Sequence, residues 1–311
     1  MLLALRALKL GDLLVAVPAL RGLRRAFPDH ELVLAAPGWL APVVSLVPAV
    51  DRLLVTPGLA DPLSFAPGEV DVAVNLHGRG PQSRGRLEEL VPARRIGHRA
   101  PGWDGPEWAT GINERDRWVR LVSWHGVAAG AGDVSLTLPE DLGPLPGAVV
   151  VHVGAFYGSR RWPVDRFAAV ARAVARDGAD VVVTGDRGDR ARAETVVSEA
   201  GLPASANLAG RLSLLELAAL VARSSAVVSV DTGVAHLASA YRRPSVVIFG
   251  PAPPEEWGPP AGPHVVLTEP ALRRGDVFGD VPDPALLAVT PAQVVSALRH
   301  VLEGARGGPC V

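Results

Sequence analysis

The feature that most constrains this chain is an alternation that runs once and then begins again. Short, nearly continuous apolar runs are followed by longer stretches with helical spacing. In the first half the runs Leu2–Leu8, Glu31–Ala36, Arg52–Thr56 and Val70–Asn75 are bounded by Gly, Pro or Asp. That is the pattern of strands buried on both faces of a parallel sheet. Leu13–Phe27 places Leu13, Val17, Leu20 and Leu23/Arg24 at helical spacing, with Pro18 inside the pattern. A proline there is predicted to kink the helix or to open a fresh first turn. Glu114–His125 is a second predicted helix, with Trp118, Leu121 and Val122 along one side.

Periodicity fades over Gly126–Gly147, a Gly/Pro/Ala-rich stretch that reads as a linker holding one strand at Val134–Leu138. The alternation then restarts. Ala148–Val153, Asp180–Thr184, Ala226–Val230 and Ser245–Phe249 read as strands. Val164–Asp177, Asp189–Ala200, Ser213–Arg223, Gly233–Ala240 and Pro291–Leu302 read as helices, the last with Thr290 as N-cap and Pro291 at its first position. Strand–helix alternation in both halves implies an α/β fold of two Rossmann-like, doubly wound parallel sheets. A length of 311 residues suits two domains. The expected boundaries are 1–130, a linker at 131–147, 148–289, and a terminal helix at 290–311.

Charge and cysteine content narrow the function classes. A net charge of −1 gives no general electrostatic grip on nucleic acid. Cys310 is the only cysteine, so an intrachain disulfide or a cysteine zinc site is excluded. Met1–Leu8 is apolar but short and broken by Arg6, a first strand rather than a signal peptide. No apolar stretch reaches the ~18–20 residues that span a bilayer. The expectation is a cytoplasmic protein, with loose peripheral attachment to a membrane left open. Lys9 is the only lysine, so sites that commonly use lysine would here use arginine.

In open α/β sheets ligands bind beyond the carboxyl ends of the strands, which makes three junctions the candidate sites. The first is Lys9-Leu10-Gly11-Asp12. Gly11 permits a tight turn. Asp12, at a helix N-terminus, is either a simple cap or a general base facing an inter-domain cleft. The second is Asp231-Thr232-Gly233-Val234-Ala235-His236, where amides at a helix start, a hydroxyl and a glycine make an anion site fit for a pyrophosphate. His236, one turn in, would orient the same ligand or simply pack. The third is the loop Gly154–Pro163, whose Arg160 and Arg161 can neutralise a phosphate while Trp162 reads as a packing residue. There is no G-x-G-x-x-G fingerprint, Walker A loop or G-x-S-x-G elbow, and no convincing metal-ligand spacing.

Together these junctions resemble glycosyltransferase family 9, the heptosyltransferases that transfer heptose from ADP-heptose in lipopolysaccharide core synthesis. Lys9-Leu10-Gly11-Asp12 through Pro18-Ala19-Leu20 matches the family's opening. Ser213–Ala218, Ser229–Ala238, Pro244 and Phe249-Gly250-Pro251 match its C-terminal core, and Arg161-Trp162-Pro163 also fits. The block Asp-Thr-Gly-x-x-His-Leu followed by Phe-Gly-Pro carries most of the specificity.

The resemblance implies a GT-B fold with the acceptor in the first domain and the nucleotide sugar in the second. The reaction it implies is inverting and metal-free, with no cofactor beyond a nucleotide-sugar substrate. By it Asp12 is the catalytic base. Asp231, Thr232, Gly233 and His236 line the donor diphosphate and sugar with Arg160 and Arg161. Asp186 or Asp189 holds the ribose, and Lys9, Gly11 and His77 lie on the acceptor side. The expected partners are a nucleotide sugar and a glycan or small-molecule acceptor, and the terminal helix is expected to return across the hinge. The chain departs from the family in having Arg160 where lysine is usual and Phe156-Tyr157 where small residues are common. Apart from Cys310, it has no cysteine after Pro270, where many relatives carry them. Alternatives on a related fold are a sugar-nucleotide epimerase and a non-catalytic nucleotide-sugar-binding protein. A nicotinamide dehydrogenase lacks its glycine fingerprint here.

Overall fold

In the computed structural model the described residues are 1–140 and 145–307, with side chains placed through Gly304. The chain divides into two compact units, Met1–Thr137 and Leu138–Val311. The terminal residues 308–311, which include Cys310, and residues 141–144 of the expected linker lie outside the described part.

The first unit is a five-stranded, all-parallel sheet. Its strands are β1 (Leu2–Leu5), β2 (Leu32–Ala36), β3 (Arg52–Val55), β4 (Val72–Asn75) and β5 (Arg94–Ile96), in the order β3-β2-β1-β4-β5. Register is set by direct pairs such as Leu3 with Val33 and with Ala73. β1, β2 and β4 are buried at every position, as expected where helices cover both faces. The helices are α1 (Leu10–Ala26), α2 (Ala41–Val44), α3 (Pro81–Glu88) and α4 (Glu114–Trp124), of which α1 and α4 pack against each other.

Helix α1 begins three residues before the predicted start and runs through Pro18 without interruption. Lys9 takes the N-cap position, so Asp12 is the third residue of the helix rather than its cap. Among the described residues Val134–Leu138 forms no strand.

The second unit repeats the plan. β6 (Val149–His152), β7 (Val181–Thr184), β8 (Ala226–Val230), β9 (Ser245–Ile248) and β10 (His264–Leu267) form a parallel sheet ordered β10-β9-β8-β6-β7. Around it lie α5 (Val164–Arg176), α6 (Arg190–Ala200), α7 (Leu214–Arg223), α8 (Gly233–Ala240), α9 (Pro254–Trp257), α10 (Pro284–Ala288) and α11 (Pro291–Gly307).

Local chemistry explains the sharp boundaries. Ser213 accepts from the Glu216 amide while Glu216 accepts from the Ser213 amide, a reciprocal box that opens α7. Thr290 and Gln293 do the same for α11. Gly201, at φ 72°, closes α6 in the left-handed conformation. The core joins both layers: Trp162 is fully buried, sits edge-to-face on Phe167 at 4.9 Å, and donates its indole N–H to Val289 O at 3.2 Å. Helix α11 packs on α5 and on the sheet of its own unit.

Candidate active site

The loop after β1 brings three groups of the first unit together. Asp12, in the first turn of α1, presents a half-buried carboxylate. Its Oδ2 accepts the Lys9 amide at 3.2 Å, and its Oδ1 lies 3.3 Å from Nη2 of Arg6. Arg6, the residue just past β1, is buried. Burial pulls its guanidinium below the ordinary arginine value, against the opposing pull of Asp12 and Glu114. His77, in the loop after neighbouring β4, faces the same two charges. Burial first, and the Arg6 cation second, hold its imidazole down to about 4 against Asp12, so it is neutral at neutral pH. The His77 amide donates to Asn75 Oδ1 at 3.1 Å, while its buried Nδ1 meets no hydrogen-bond partner among the described residues. Lys9 is exposed and Gly11 half-buried beside them.

The second unit gathers cations at the carboxyl ends of β6 and β8. After β6 the chain makes a short turn at Gly158–Arg160. Arg161 Nε donates to Ala155 O at 3.3 Å across the loop, and the Arg161 side chain is exposed. Arg160 Nη1 donates to Asp231 Oδ2 at 2.9 Å and reaches Asp231 O at 3.3 Å. Asp231 itself is buried. The aspartate therefore aims the arginine, and the Arg160 Nε is left without a hydrogen-bond partner among the described residues.

Thr232 holds the N-cap position of α8, yet its side chain caps no amide. Its hydroxyl pairs with Ser229 Oγ at 2.9 Å. The first turn of α8 is thus open to an anion, next to a fixed guanidinium. His236 lies buried within the same helix.

A third cluster follows β7. Asp186 and Asp189 cap each other's amides at 3.0 Å in both directions. Asp186 is exposed, whereas Asp189 is turned inward, and its carboxyl is pushed up, mainly by burial and also by Asp186, against Arg161. Gly154 allows this approach, since a Cβ there would stand 2.6 Å from Asp189 Oδ2. His152 Nδ1 pairs with Thr184 Oγ1 at 3.0 Å, and full burial lowers its pKa to about 4. Arg192 donates to Trp162 O at 2.9 Å.

The structure thus brings Asp12, Lys9, Gly11 and His77 together in one unit and Arg160, Asp231, Thr232, Gly233 and His236 in the other. Asp186, Asp189 and Arg161 form the flank of the second group. Sequence reasoning passed over Arg6, His152 and Arg192. Arg6 and His152 end apolar strand runs, and that position at a carboxyl strand end was the available signal. Arg192 lies inside a polar helix and gave none. Among the described residues no group of three or more His, Cys, Asp or Glu is placed to hold a metal ion, and no helix is long and apolar enough to cross a membrane.

Residues 140–273 match the family model of glycosyltransferase family 9 (heptosyltransferase). The chain is 22% identical to lipopolysaccharide heptosyltransferase 2 of Salmonella typhimurium over 94% of this chain and 95% of that protein. Two solved structures share the fold. One is the ADP-heptose lps heptosyltransferase II of Escherichia coli (TM-score 0.77, 20% identity, 99% of this chain and 100% of that one). The other is a family 9 glycosyltransferase of Veillonella parvula (TM-score 0.79, 20% identity, 97% of both chains).

Proposed function

We propose, for a chain whose residues 140–273 match the model of glycosyltransferase family 9, an inverting transfer of heptose from ADP-heptose to a glycan hydroxyl. The observation that carries this reading is the guanidinium of Arg160, aimed by Asp231 beside the uncapped first turn of α8. A diphosphate leaving group needs fixed positive charge where its own charge grows, and preorganised donors of this kind are worth ~10²–10³-fold each.

In the proposed step the acceptor oxygen attacks the anomeric carbon on the face opposite the diphosphate. The new C–O bond forms as the bond to the β-phosphate oxygen breaks. The hydroxyl proton passes to the Asp12 carboxylate, and ADP departs with the bonding pair. General-base assistance of this type is worth ~10²–10⁴-fold. Arg160, Arg161 and the α8 amides supply the charge for which other transferases use a divalent ion, so the proposed chemistry runs without metal. Asp186, the exposed member of its pair, is the proposed ribose contact, and His236 lines the donor side. Lys9 and His77 flank the acceptor. The relatives named for lipopolysaccharide synthesis make a truncated inner-core lipopolysaccharide the first acceptor to try.

Calorimetric titration with ADP, UDP, GDP and dTDP tests the donor. Selective binding of ADP is expected, and selective binding of another nucleotide would overturn the heptose assignment. Asp12→Asn is expected to lower ADP release from ADP-heptose at least ~10²-fold while ADP affinity stays within twofold. Near-normal turnover would remove Asp12 from its role. A chelator is expected to leave the rate unchanged, and its loss would overturn metal independence.

A further inference from the structure

We propose that Arg6 is the positioning residue for Asp12, a role that rests on the assignment of Asp12 as base. Arg6 is 1% exposed, and its guanidinium uses each of its nitrogens. Nε donates to the main-chain oxygen of Asp12 at 2.9 Å, and Nη2 reaches Asp12 Oδ1 at 3.3 Å. Nη1 donates to Leu76 O, the carbonyl immediately before His77. The flat of the group lies over the indole of Trp118, 4.5 Å from its centroid. One side chain therefore grips the backbone and the carboxylate of Asp12 and ties them to the loop after β4.

Capping α1 does not require this arrangement. The Lys9 amide is already met by Asp12 Oδ2. A buried cation carries a desolvation penalty, which its partners must offset. What the arrangement does provide is direction. With Oδ2 held by an amide and Oδ1 by a guanidinium, rotation of the carboxylate about χ1 and χ2 is restricted from both sides. A misplacement of about 1 Å in a reacting group can lose ~10²-fold in rate. The other ionisable groups around Arg6 are Glu114, paired with Arg117 at 2.6 Å, and the neutral His77. Asp12 is thus the acidic side chain that Arg6 itself bonds.

A double-mutant cycle on the full chain tests this. Arg6→Gln, Asp12→Asn and the double variant are compared by ADP release from ADP-heptose, with truncated lipopolysaccharide or, failing that, with water as acceptor. Alone, Arg6→Gln is expected to lower kcat ~10²-fold with the KM for ADP-heptose within twofold of the parent. In the Asp12→Asn background the same change is expected to add no further loss, because a positioning residue has nothing left to position. Arg6→Lys keeps the cation but offers one nitrogen in place of the planar fork that reaches Asp12 O, Asp12 Oδ1 and Leu76 O. It should lose about tenfold alone and nothing further beside Asp12→Asn, which supplies the cycle if Arg6→Gln fails to fold. Losses that multiply in the double variant, or a raised KM at unchanged kcat, overturn the role of Arg6 alone. An Asp12→Asn variant as active as the parent overturns both the base assignment and the role built on it.

Discussion

Arg160 and Asp231 show how a charge can be both held and available. A single Nη1 is committed to the buried carboxylate, and the buried Nε meets no hydrogen-bond partner among the described residues. Removing the arginine has two consequences: the anion site loses its oriented cation, and Asp231 is left buried without this partner. Arg160→Ala is expected to weaken ADP binding ~10–100-fold, since hydrogen bonds between charged groups are worth ~1.5–3 kcal/mol each. Arg160→Lys should recover only part, because a point charge cannot reproduce a planar fork. Titration of the variants with ADP checks both, and unchanged affinity in Arg160→Ala would remove Arg160 from the donor site. Residue identity was the most legible layer of the sequence. Asp231 and Thr232 stand out because they follow an apolar run directly, and Asp12 and Arg160 because they lie in strand-to-helix junctions. Orientation was not legible. That Asp189 turns inward while its near neighbour Asp186 faces solvent depends on Gly154 and Gly185 letting the carboxylate in, a packing fact with no local signature.

At the scale of elements, the donor loop is built by two segments that fit without spare volume. The Ser159 amide donates to Gly279 O at 2.8 Å, and the Asp283 amide donates to Ser159 O at 3.0 Å. Between them Gly158 lies so close to the following chain that a Cβ would sit 1.9 Å from Asp280 O. Gly158→Ala must therefore shift one loop. It is expected to destabilise by ~1–3 kcal/mol and to weaken ADP binding, because Arg160 lies two residues on in the same turn. Thermal melts with and without ADP measure both, and a parent-like melt with parent-like affinity would show that the loop has slack.

The elements that sequence reasoning missed are ones whose apolar pattern is weak or short. Eight strands were legible as apolar runs. The two that were not, β5 and β10, lie at sheet edges, as the legible β3 and β7 also do, and β5 contains two arginines in three residues. An edge strand covered on fewer sides need not be apolar, so its pattern does not stand out. Helix α3, with polar residues nearly throughout, escaped for the same reason. The continuity of α1 through Pro18 is an override by packing: the proline is buried among Val17, Ala19 and Leu20.

Across the whole molecule, both units bury neutral histidines. His77 and His98 in the first and His152 in the second are each held to about 4, chiefly by burial. In the unfolded chain the same groups titrate near 6.5. Folded, they resist protonation, so the stability they contribute is complete above pH 6.5. It is lost as the pH falls from there towards 4, because the unfolded chain takes up protons that the folded one refuses. For fully buried His152 the difference approaches about 3 kcal/mol. Urea midpoints are expected to drop between pH 7.5 and pH 5, with His152→Gln showing a smaller drop than the parent. A midpoint that does not move over that range would contradict the buried-neutral assignment. Two five-stranded parallel sheets, each with a core of its own, were the most readily inferred property at this scale. The interruption between the two alternating patterns announced them.

The solitary lysine of the sequence, exposed at the N-cap of α1, supplies the amide that meets the Asp12 carboxylate. For amine-directed chemistry this protein is almost blank: besides the terminal amine of Met1, acylating or reductively alkylating reagents find one side chain, and it stands three residues from the proposed base. A fluorophore or spin label placed there would report on that corner of the first unit without mutagenesis. Its protection by a bound ligand would mark which substrate arrives beside it.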